Sequence, residues 1–179
     1  MLNINDSLIL AVDFQEKLIS ATSADNELIN ASKMVEAGKI LDIPVVISEQ
    51  YPKGLGETSY KLINKIPPSS VVLEKTTFSL LKTEKIYNAI KAQKRKQIIL
   101  FGIETHICVL QTALDLIDDG FEVYLIKNAS KSRKESEHEA GINYMQNMGV
   151  KILTLEIALF ELLKSSTHPN FKEIQALIK

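Results

Sequence analysis

Three residues far apart in the chain, Asp13, Lys75 and Cys108, are of the types that acyl transfer requires. A thiol supplies the nucleophile, a carboxylate within reach takes its proton and later returns it to a leaving amine or alcohol, and an ammonium tunes both. Cys108 is the sole cysteine among 179 residues, so neither an intrachain disulfide nor a cysteine-rich zinc site accounts for it. Taken singly, each residue has a plainer reading. Cys108, between Ile107 and Val109, reads as a small buried hydrophobe, Asp13 as a turn or helix-capping residue, and Lys75 beside Glu74 as a rim charge.

The elements that must position these residues are legible as apolar runs. Segments rich in β-branched residues at 8–12, 45–48, 71–73, 98–103, 123–126 and 151–154 read as six strands. Helical periodicity runs over 28–41, 84–92, 107–117 and 134–148, with Asp118-Asp119-Gly120 and Met148-Gly149 as helix ends. Continuously apolar strands alternating with helices imply a parallel sheet covered on both faces, hence an α/β fold: a three-layer, doubly wound sheet of six parallel strands. In such sheets ligands bind outside the carboxyl ends of the strands. Asp13 ends the first strand, Lys75 the third, and Cys108 falls in the first turn of the helix after the fourth. That helix start and the Lys75 ammonium are both expected to lower the thiol pKa, giving thiolate near neutral pH. The N–H groups of the turn 102–108 face the same crevice and can hold an oxyanion.

Composition bounds the alternatives. With 45% apolar residues the chain suffices for one core and one domain, 1–179. Its 21 basic and 22 acidic residues leave a net charge of -1, which offers no basic face to nucleic acid. No apolar run is long enough to span a membrane, and the stretch 1–6 carries no basic segment followed by an apolar core, so a cytoplasmic protein is expected. The long loop 49–58, EQYPKGLGET, has the turn chemistry of a functional loop.

At these residues the sequence resembles the isochorismatase-like hydrolases, a superfamily that includes nicotinamidases, carbamoyl amidohydrolases and isochorismatase. LILAVDFQEKL resembles its aspartate strand, EKTTFS its lysine strand and GIETHICV its cysteine turn, in the same order and spacing. SEQYPKGLGET and the tail HPNFKEIQALIK are similar in particular to the isochorismatase domain-containing and YcaC-type proteins, so the resemblance covers nearly the whole chain. It implies Asp13, Lys75 and Cys108 as a catalytic triad, a cis peptide at Ile103-Glu104, and an oxyanion hole built from the N–H groups of Glu104 and Cys108. Nicotinamidases of the superfamily bind a metal through an Asp and two His residues in the loop after the second strand. Here that loop has no histidine, and no metal or other cofactor is carried over. His106, His138 and His168 are scattered, and of these His106 is placed to line the pocket.

The resulting expectation is a metal-independent cysteine hydrolase that cleaves a C–N bond of a small-molecule amide through a thioester. Gln15, Glu49, Gln50, Tyr51 and His106 stand as candidate substrate contacts, and the chain is expected to self-associate through helix faces such as 107–117. The alternative is a noncatalytic or redox-sensitive binding protein that keeps the fold.

Overall fold

The six apolar runs form six parallel strands in a computed structural model that describes residues 1–179. They are β1 (Ser7–Val12), β2 (Val45–Gln50), β3 (Val71–Lys75), β4 (Gln97–Gly102), β5 (Glu122–Ile126) and β6 (Lys151–Leu153). Across the sheet they follow the order β3-β2-β1-β4-β5-β6. The chain therefore winds outward from β1 to one edge, crosses back to β4 and winds to the other. The reversal lies between β1 and β4, where an open parallel sheet forms its crevice.

Nine α-helices cover the sheet: α1 (Glu16–Thr22), α2 (Asp25–Ile40), α3 (Pro52–Leu55), α4 (Tyr60–Ile63), α5 (Glu84–Ala92), α6 (Leu110–Asp118), α7 (Glu135–Asn147), α8 (Leu155–Leu163) and α9 (Phe171–Leu177). Alternation along the strands sends Leu8, Leu10 and Val12 to one face, where Ile98 and Leu100 join them under Ile86 of α5, Leu116 of α6 and Met145 of α7. Ile9 and Ala11 go to the other, with Ile47, Ile99 and Phe101 under Met34 of α2, Leu159 of α8 and Ile174 of α9. Both faces are dry, which is why β1 is unbroken apolar sequence over 8–12 and β4 over 98–101. The three-layer doubly wound α/β fold expected from the sequence is thus present. No helix is long and apolar enough to cross a membrane.

Two local differences matter for the site. β3 extends two residues beyond the apolar run, to Lys75. The helix expected over 107–117 is two pieces: a π-helical turn, Thr105–Val109, in which Val109 N–H donates to Glu104 C=O at 3.3 Å, and then α6. Its apolar residues turn inward. Val109, Ala113 and Leu116 are buried, and Ile107, Leu110 and Ile117 pack against the same core, so this helix is not the free apolar face expected for self-association.

Where β4 ends beside β1, the chains meet at Gly102. Its φ is +152°, and a Cβ there would stand 2.3 Å from the Val12 carbonyl oxygen. This close approach brings the turn after β4 up to the residue after β1. A Gly102→Ala variant should lose at least about 2 kcal/mol from combined backbone strain and overpacking. Denaturant unfolding measures this directly, and an unchanged midpoint would mean that the strand ends do not need the contact.

Candidate active site

Asp13 follows β1 with a left-handed backbone, φ 56°, and its N–H donates to Ser48 C=O at 3.1 Å. The side chain turns to Lys75, whose Nζ donates to Asp13 Oδ2 at 2.7 Å, and both side chains are fully buried. The ammonium also donates to Gln50 Oε1 at 2.6 Å and to Thr77 C=O at 3.3 Å, so each of its three protons has an acceptor. Ser48 Oγ donates to the other carboxylate oxygen, Oδ1, at 2.6 Å. Sequence reading missed Ser48. The available signal was a hydroxyl following Val45-Val46-Ile47 on β2, the strand between the two that carry Asp13 and Lys75.

Cys108 stands on the π-helical turn, 6% exposed, packed in the same apolar cluster as Val12 and Ile142. Its thiol lies beside the Asp13 carboxylate and the Lys75 ammonium, so all three residues converge, and both charges act on its ionisation. Burial first, and then the Asp13 charge, push the thiol up to about 12, and Lys75 offsets part of this. The expectation of a thiolate near neutral pH is therefore corrected. The sulfur is buried, its nearest anion counts for more than its nearest cation, and its turn is not the free first turn of an α-helix. Asp13 is itself raised above the ordinary aspartate range, by burial, against the opposing pull of Lys75 and Ser48.

The turn that carries Cys108 is tied down residue by residue. The Ile103-Glu104 peptide is cis, as the resemblance implied. Glu104 Oε2 accepts from Arg133 N–H at 3.0 Å, and Arg133 Nε lies 3.0 Å from Oε1. Thr105 Oγ1 is 2.9 Å from His138 Nδ1, and His106 Nδ1 is 2.9 Å from Ser132 Oγ. Helix α7 closes on the turn at Gly141, where a Cβ would lie 3.0 Å from His106 Cα. The Glu104 N–H has no acceptor within the chain. None of Ser132, Arg133, His138 or Gly141 stood out in the sequence, because their significance comes from α7 packing on a distant turn.

The remaining sequence candidates divide. Gln15 is fully buried, and its amide donates to the C=O groups of Gln50 at 3.0 Å and Gly56 at 2.5 Å while accepting from Gln50 N–H at 2.7 Å. Glu49 Oε1 accepts from Thr58 N–H at 2.6 Å and Thr58 Oγ1 at 2.7 Å. Both side chains are committed to holding the loop after β2. Gln50 is committed to Lys75. Tyr51 is exposed and, with Lys53, Glu74 and Lys85, lines a cleft of about 420 Å³ on the β3 side. His106 lines another, of about 310 Å³, with Arg133, Lys134 and Glu137.

The family model for the isochorismatase domain matches residues 7–157. Isochorismatase domain-containing protein 1 of Danio rerio is 37% identical over 174 residues, covering 97% of this chain. The chain spans 61% of that protein's length. Isochorismatase domain-containing protein 2 of Danio rerio is 36% identical over 180 residues, covering 99% of this chain and 89% of that protein. Among solved structures, the MAR1 ribonuclease from Caenorhabditis elegans is 35% identical with a TM-score of 0.92, covering 99% of this chain and 91% of that one.

The charge balance around Cys108 has a measurable sign. Alkylation by iodoacetamide should be slow at pH 7 and should rise steadily into alkaline pH, because the neutral thiol predominates. Asp13→Asn removes the charge that raises the thiol and should quicken labelling at neutral pH, whereas Lys75→Met should slow it. Fast labelling of the unaltered protein at pH 7, or an Asp13→Asn protein that labels more slowly, would contradict this balance.

Proposed function

The chain belongs to the isochorismatase family, and on that premise we propose that it is a single-domain, cytoplasmic, metal-independent cysteine hydrolase that opens the C–N bond of a small-molecule amide. The observation that carries this reading is the meeting of Asp13, Lys75 and Cys108, each from a different strand end, in one buried cluster. A noncatalytic binding protein would have no use for a buried ion pair placed against its one thiol, and that alternative is not favoured.

In the proposed reaction Asp13 takes the Cys108 proton as sulfur attacks the amide carbon, so charge never rests on an isolated buried thiolate. A C–S bond forms, and the carbonyl oxygen becomes an oxyanion that, in this reading, the N–H groups of Glu104 and Cys108 receive. Protonated Asp13 gives its proton to the amine nitrogen as the C–N bond breaks, leaving a thioester. Water then attacks, Asp13 takes a proton from it, the C–S bond breaks, and the proton returns to sulfur. Lys75 takes no part in these proton transfers and holds Asp13 in place. No metal enters this scheme. The loop after β2 carries no histidine, and Glu49, which lies in β2 itself rather than in the loop expected over 49–58, is occupied by Thr58.

Self-association is also part of the reading, through surfaces other than α6. Tyr51 at 55%, Phe78 at 52% and Tyr60 at 68% exposure are large apolar side chains left without cover. Sedimentation at micromolar concentration should find an oligomer, and a monomer would count against it.

Intact-mass measurement after incubation with a panel of amides, with para-nitrophenyl acetate and with a short RNA is the direct test of function. The expected result is an acyl adduct that is lost with time and absent from Cys108→Ser, together with turnover that survives chelation of metals. Cleavage of RNA, the activity named for the Caenorhabditis elegans protein, without any acyl adduct would overturn the reading. Because burial raises Asp13, hydrolysis should fall on acidification at a pH above the ordinary aspartate range, where proton uptake removes the base. An acid limb at or below that range would show that another group is the base.

A further inference from the structure

We propose that Arg133 is a positioning residue for the oxyanion-binding turn, acting through the side chain of Glu104 to fix the direction of the Glu104 N–H. The inference rests on the hydrolase reading above and goes beyond it by assigning work to a residue outside the triad.

Glu104 is held at every backbone and side-chain position except one. Its C=O accepts from Ile107 N–H at 3.1 Å and Val109 N–H at 3.3 Å. Its carboxylate, 9% exposed, has Arg133 Nε at 3.0 Å from Oε1 and 3.2 Å from Oε2, with the Arg133 N–H at 3.0 Å from Oε2. The following N–H, of Thr105, donates to Lys131 C=O at 3.0 Å, so both sides of the residue are braced against the same 131–133 segment. What is left is the Glu104 N–H, without an acceptor in the chain. An ion pair whose arginine side chain is 61% exposed contributes little to stability on general grounds. Its leverage on geometry is larger, because a donor aimed at a developing oxyanion loses most of its effect when it shifts by about 1 Å. Arg133 also borders the cleft it shares with His106, Lys134 and Glu137, which gives solvent and small ions access to this guanidinium.

The test separates acyl transfer from thiol alkylation. Acyl transfer builds an oxyanion, whereas displacement of iodide from iodoacetamide by sulfur builds none. For Arg133→Ala, kcat with para-nitrophenyl acetate should fall up to about 100-fold with little change in KM. The iodoacetamide labelling rate of Cys108 should stay at the wild-type value. Added guanidinium ion should restore part of kcat, and Arg133→Lys should retain part of it. Lys134→Gln, a change in the same cleft, should behave as wild type. A parallel fall in kcat, alkylation rate and thermal midpoint without guanidinium rescue would reduce Arg133 to a structural residue and overturn the proposal. So would an unchanged kcat. A wild-type protein that acylates with no ester or amide would instead bring down the hydrolase reading, and the role of Arg133 with it.

Discussion

The constraint on which the site depends is the fully buried ion pair between Asp13 and Lys75, 2.7 Å apart. A buried pair is poor evidence of stability, since desolvating two charges costs several kcal/mol and removing one partner leaves the other stranded at a cost of about 3–5 kcal/mol. It persists here because its remaining hydrogen bonds are met. Gln50 and Thr77 complete the ammonium, and Ser48 takes the second carboxylate oxygen. The sheet order sets the rest. β3 lies two strands from β1, about 10 Å away, and the long side chain of lysine spans much of that gap across the end of β2. Ser48 and Gln50 stand on that intervening strand, and each is hydrogen-bonded to one member of the pair.

The pair also decides how the thiol behaves. A lone ammonium beside a buried sulfur favours thiolate, whereas a carboxylate beside it opposes thiolate. Burial first, and then the Asp13 charge, push Cys108 up to about 12, and Lys75 offsets only part of this. The raised pKa of Asp13 has a matching consequence, since a carboxylate that binds a proton more readily than usual is a better acceptor for one released from sulfur. Each group makes the other's proton costly to strand. In the proposed hydrolysis, this arrangement favours transfer between them during attack over ionisation beforehand.

Much of the fold was legible in the sequence. The central strand β1, buried on both faces, shows as the unbroken apolar run 8–12, and the short run 71–73 marked the more exposed edge strand β3; the ends of these two runs located the sheet edge where Asp13 and Lys75 meet. Cys108 was legible from its motif and its place after β4. The sign of its pKa shift was not, because that depends first on how deeply the sulfur is buried and then on which of two opposite charges acts more strongly on it, both matters of tertiary structure. Gln15 and Glu49 lie near the crevice as their sequence positions suggested, yet their polar atoms are spent on loop backbone. A residue type shows that a side chain can bond, not to what. The ties from Ser132, Arg133 and His138 to the turn at 104–106 were out of reach for the same reason.

Because Cys108 is the sole cysteine, the ultraviolet absorbance of thiolate, taken as the difference between the protein and its Cys108→Ser variant across a pH titration, reports on this one group. With circular dichroism marking the range over which the fold is intact, Cys108 should give no thiolate signal at pH 7 and none until strongly alkaline pH, approaching about 12. A folded protein whose Cys108 titrates near or below the ordinary thiol value of about 8.5 would contradict this expectation.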